Sequence, residues 1–105
     1  MPVRKDYPDP LSGWAKLRNL WARDPSIDWG ALGLLTYLTS HRDEFEVRLD
    51  VIYRARASKR HKIDRWLAEL EQHGYLRRET KRVNGVVVGT VWHLLDPYAD
   101  DPDVA

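Results

Sequence analysis

A chain of 105 residues, 43% apolar and 31% charged, is enough for one globular domain and leaves no room for a second catalytic or ligand-binding domain beside it. It has no cysteine, which excludes disulfides and thiolate metal sites and fits a reducing, cytoplasmic setting. No apolar run approaches the roughly 20 residues of a membrane span, so neither export nor membrane insertion is expected.

The net charge of +1 hides an uneven distribution. Between Asp50 and Arg82 ten basic residues face five acids, whereas residues 1–49 balance seven against seven. From Val83 onward there is no Lys or Arg, and four aspartates follow: Asp96, Asp100, Asp101 and Asp103. A basic middle and an acidic end are therefore the features to place.

In chain order, residues 1–10 are polar and proline-rich and predict a flexible arm. Residues 11–95 form the domain. Leu11 to Arg23 fits a helix through Trp14, Leu17 and Trp21, and fits a strand through the alternation around Gly13–Leu17. Trp29 to Ser40 predicts a helix with Ala31, Leu34, Leu35 and Leu38 as its inner stripe and Asp28 as its N-cap. Gly30 and Gly33 each weaken that helix by about 1 kcal/mol relative to alanine, and close packing is their expected reason. Phe45–Leu49 alternates like a strand, and Asp50 is placed to cap a short helix over Val51–Ala57. Ile63, Trp66, Leu67 and Leu70 then predict a helix from Lys59 to His73, with Ser58 as N-cap and Gly74 ending it. Asn84-Gly85 predicts a tight hairpin between strands Tyr75–Arg82 and Val86–Leu95. Residues 96–105 read as an acidic disordered tail. The fold class is α+β.

The order of these elements resembles the winged helix-turn-helix superfamily. The resemblance is carried by the run from Ser58 to Leu76, with its Leu67-Ala68-Glu69-Leu70-Glu71 and Gly74-Tyr75-Leu76 exit, and by Asp24 to Leu38. It covers Arg23 to Asp96 and is similar to small phage- and plasmid-type regulators and replication-initiation modules. It implies three helices, a short strand and a C-terminal hairpin wing, with double-stranded DNA as the partner and a homodimer left open. It also implies that the helix face of His61, Arg65, Ala68 and Gln72 enters the major groove. Arg60, His61 and Arg65 would then reach base edges, Lys59 and Lys62 phosphates, and Ser58 the backbone. Arg77, Arg78, Lys81 and Arg82 would clamp the backbone from the wing. The function implied is that of a small transcriptional regulator or a replication-type DNA-binding protein. The alternative is a protein-binding module of the same fold, such as a phage-encoded adaptor or inhibitor.

The bland readings stand beside these. A Lys- and Arg-rich stretch is most often a solvated face, with Arg65–Glu69 and Lys62–Asp64 as surface ion pairs. Trp66 and Trp92 read as core. Trp14, Trp21 and Trp29 read as packing, with a dimer interface as the sharper option. His41, His61, His73 and His93 lack metal-ligand spacing, and Gly85 to Thr90 lacks the lysine of a phosphate loop. No Ser/His/Asp set stands out. Neither enzyme activity, a cofactor nor a small-molecule ligand is expected.

Overall fold

The computed structural model describes residues 2–6, 16–41 and 45–101. The described residues form an α+β domain of four helices and a four-stranded mixed sheet. The elements run β1 (Pro2–Lys5), α1 (Asn19–Ala22), α2 (Trp29–Thr39), β2 (Phe45–Glu46), α3 (Leu49–Ala55), α4 (Arg60–Gln72), β3 (Leu76–Val83) and β4 (Val86–Leu94).

Helix α2 begins as expected. Asp28 is extended, and its carboxylate accepts from the Gly30 N–H at 3.1 Å. Helix α4 buries Ile63, Leu67 and Leu70 and ends at Gly74, whose φ of 83° is the left-handed conformation that glycine adopts most readily. Asn84 and Gly85, at φ 52° and 80°, supply the two positive values of a type I′ turn, and β3 pairs antiparallel with β4 behind them. Trp21, Leu35, Leu38, Leu67, Tyr75, Trp92 and Leu94 meet in one core between sheet and helices.

Several boundaries differ from expectation. The helix count rises to four because Asn19–Ala22 makes one turn. Helix α4 starts behind Lys59, which offers no side-chain cap, so Ser58 is not its N-cap. Helix α3 starts at Leu49, with Arg48 at the N-cap and Asp50 inside the first turn, where its charge favours the positive end of the helix dipole. The strand predicted over Phe45–Leu49 is thereby cut to two residues.

Both chain ends need larger corrections. Residues 2–5 are not a flexible arm: β1 lies inside the sheet, in the order β2-β1-β4-β3, parallel to β4 and antiparallel to β2. Val3 is fully buried there, and Pro2 occupies the first strand position, where a missing N–H is tolerated. Residue 1 and residues 7–10 of the predicted arm lie outside the described residues, as do 102–105 of the predicted tail. Residues 96–101 fold back on the domain. Asp96 accepts from Trp21 Nε1 and from Arg18, both at 2.8 Å, and Arg18 also donates to the carbonyls of Tyr98 and Asp101. The Tyr98 N–H closes an Asx turn onto Asp96.

A second polar anchor lies beneath this latch. The buried Tyr75 hydroxyl donates to Asp24 at 2.6 Å, and Ser26 donates to the same carboxylate. Burial alone would raise the Asp24 pKa, but the bonds from Ser26 and Tyr75 outweigh it and hold the group at about 2. Burial likewise pushes Asp96 up, and hydrogen bonds from Arg18 and Trp21 bring it below the usual range. A folded-state pKa below the unfolded one contributes stability above the unfolded value and loses it as pH falls through the folded one. The Asp24 contribution should therefore disappear between pH 3.8 and about 2. Urea unfolding followed by tryptophan fluorescence checks this: Asp24→Asn is expected to be less stable than the parent at neutral pH and to converge on it in strong acid.

Candidate nucleic-acid interface

Helix α4 is amphipathic, and its packing decides which side chains remain outward. With Ile63, Leu67 and Leu70 turned to the core, the 100° step per residue leaves His61, Arg65, Ala68 and Gln72 in the middle of the solvent face. Lys62 flanks that face, and Lys59 stands outside the helix at its N-cap; both are exposed. Among the described residues, Lys59, Lys62 and Arg65 have no carboxylate within ion-pair distance, so the surface pairs Arg65–Glu69 and Lys62–Asp64 do not form.

The acids of α4 are engaged elsewhere in the domain. Glu69 accepts the Asp28 backbone N–H at 2.8 Å, which ties α4 to the start of α2. Glu71 pairs with Arg78 of β3. Asp64 accepts from the Tyr53 hydroxyl at 2.6 Å and stands 3.8 Å from Arg60, whose guanidinium lies over the Tyr53 ring. Tyr53, on α3, is a contributor that sequence reasoning missed. Its bond crosses the turn between the helices, and no periodicity signals a pair 11 positions apart. The pair fixes how α3 sits on α4 and draws Arg60 to the α3 side, away from Arg65. Arg60 remains exposed. Ser58 is half-buried and lines a cleft between α2 and α3 instead of standing free at the α4 terminus.

Comparison with protein-family models, with curated proteins and with solved structures finds no match.

The four hairpin cations separate. Arg78 shares a sheet face with buried Trp92, its cross-strand partner, and is held by Glu71 with its guanidinium over the Trp92 ring. Arg77 pairs in register with His93 and so projects from the opposite face, away from α4. Lys81 bonds Glu79 at 2.9 Å, and His93 lies between Glu79 and Asp6 at 2.9 Å from each. Hydrogen bonds from Lys81 and then His93 keep the Glu79 carboxyl below its ordinary range. Arg82, past an irregularity in the strand register between Lys81 and Arg82, reaches only the Gly85 carbonyl at 3.4 Å. The structure thus groups His61, Lys62 and Arg65 on one surface and leaves Lys59 exposed at the N-cap of the helix. It occupies Arg78, ties Lys81 to its own strand, and turns Arg77 to the far side of the sheet. The hairpin tip is apolar, with Val83, Val86, Val87 and Val88 all exposed.

Of the tryptophans read as packing, Trp21 and Trp92 are buried and Trp66 is half-buried, but Trp29 is 86% exposed; Trp14 lies outside the described residues. Among the described residues, no three His, Asp or Glu side chains gather as they would round a metal ion, and no helix is long and apolar enough to cross a membrane.

Proposed function

We propose that this protein binds duplex DNA as a winged helix-turn-helix protein, with α3 and α4 as the helix-turn-helix and β3–β4 as the wing. The observation that carries the reading is the division of charge on α4. Its cations Lys62 and Arg65, and Lys59 at its N-cap, are unpaired among the described residues and exposed, while Asp64, Glu69 and Glu71 are each held by groups of the same chain. Hydrogen bonds to Tyr53 and to the Asp28 N–H leave Asp64 and Glu69 charged but tie them towards α3 and α2, beside the middle of the face, while Arg78 offsets Glu71. The helix as a whole is formally neutral, but its outward strip of His61, Lys62 and Arg65 is basic, and with a small residue, Ala68, at its centre that strip has the shape and charge to enter a major groove.

In this reading Arg65 offers its guanidinium fork to a base edge, His61 reads beside it, and Arg60 contacts the flank while held by Tyr53. Lys59 and Lys62 meet phosphates as point charges. The clamp from the wing falls to Arg82, because Arg78 is committed to Glu71 and Arg77 faces away. The role is that of a small transcriptional regulator or a replication-type DNA-binding protein. Chemistry is no part of the role.

A protein-binding module of the same fold is the second reading, and the four exposed valines of the hairpin tip favour it. Selection from random-sequence duplexes at two salt concentrations separates the two. An enriched motif supports regulator or initiator; steep salt dependence without a motif means binding to the backbone alone; no retention of DNA at low salt leaves the protein-binding reading.

A further inference from the structure

Helix α2 carries no charged side chain in a chain that is 31% charged. Its inner stripe is buried, and its outer face presents Trp29, Gly33 and Thr36 to solvent. A helix on the surface of a lone domain normally sets charges on its outer face, so an uncharged face is suited to being covered. Trp29 is the most exposed large apolar side chain among the described residues.

The two glycines of α2 sharpen this. Gly30 is required within the chain, because a Cβ there would lie 2.1 Å from the Trp66 indole. Gly33 has no such reason: a Cβ at that position meets nothing within 4 Å, and the helix gives up propensity for it without return from its own domain. Gly33 borders a cleft of about 620 Å³ walled by Gly30, Tyr37, Ile52, Ala55 and Trp66.

We propose that this face of α2 docks a second copy of the chain, with Trp29 of each protomer seated over Gly33 and the adjoining cleft of the other. Projection and hollow lie four residues apart on one face, about 6 Å along the axis at 1.5 Å per residue. A two-fold axis between them satisfies both at once, which is the condition for an isologous contact. The α2 face itself carries no charge and so meets its own copy without like-charge repulsion; Arg56 stands at the wall of the cleft beside it. Two indoles bury about 300–500 Å² together, well under the roughly 1,200 Å² of a standard interface, so the dimer is weak and concentration-dependent. The contact leaves the outward residues of α4 uncovered and does not depend on DNA binding.

Sedimentation velocity on the full chain without DNA, from micromolar to millimolar, tests it. The parent is expected to shift from monomer to dimer across that range, and Trp29→Ala and Gly33→Ala are each expected to weaken association at least tenfold. Both variants should melt cooperatively when dilute, Gly33→Ala at or above the parent temperature, because neither side chain is needed inside the domain. A parent that stays monomeric throughout, or an association that either variant leaves unchanged, overturns the proposal.

Discussion

Gly30→Ala is expected to destabilise the domain by about 1–2 kcal/mol, even though alanine is the residue that helices favour. The new Cβ would overlap the Trp66 ring at 2.1–2.2 Å, and that ring is packed between α2 and α4, not free at the end of a flexible chain. Overpacking of this kind costs about 1–3 kcal/mol, and the helix-propensity gain of up to about 1 kcal/mol offsets only part of it. Gly33→Ala three residues on has the same propensity gain and no clash, so in dilute solution it should stabilise by about 0.5–1 kcal/mol. Urea unfolding of both variants checks the difference in sign. Trp66→Leu in the Gly30→Ala background should recover part of the loss, since the two sites are in contact and their effects will not add.

Arg65→Ala and Arg82→Ala are expected to weaken DNA binding in different ways. Arg65 lies mid-face on α4 with no carboxylate partner among the described residues, so its loss removes a base contact worth about 1–3 kcal/mol and relaxes the preference at one position of the site. Arg82 stands beside the hairpin turn, where a cation meets backbone. Its loss should weaken all sequences about equally and lower the salt slope by about 1. Arg77→Ala, on the sheet face turned away from α4, is the control and should change little. Fluorescence anisotropy with a selected duplex and a scrambled one distinguishes the three.

The sequence made some of this legible for identifiable physical reasons. Helix α4 was readable because its apolar residues keep the helical period over about two turns and Gly74 stops it. The hairpin was readable because Asn84-Gly85 suits two adjacent positive φ angles. Strand β1 was not, because one buried residue, Val3, sets no period; its place depends on pairing with β4 some 90 positions away. The tail latch was hidden for the same reason, although Asp96-Pro97 is itself a turn signal that the acidic composition masked. Among the site residues, exposure of His61, Lys62 and Arg65 followed from the wheel of α4, whereas Lys59 is exposed because it stands at the N-cap, outside the helix. The capture of Arg78 by Glu71 did not, since it needs the chain reversal at Gly74. The wheel of α2 did hold one unread clue: Trp29 falls opposite Ala31, Leu35 and Leu38, and that position alone marks it as exposed.

The central proposal concerns DNA, and its most direct measurement is the affinity of the whole chain for duplex DNA as a function of salt. Each phosphate neutralised contributes about −0.9 to the slope of log affinity against log salt, so Lys59, Lys62 and Arg82, the cations assigned to phosphates, predict a slope of roughly −2.7. Replacing Lys59 and Lys62, at the start of α4, by alanine should reduce it to about −1. Absence of binding at low salt, or a slope that the α4 replacements leave unchanged, would contradict the assignment of α4 as the DNA-contacting surface.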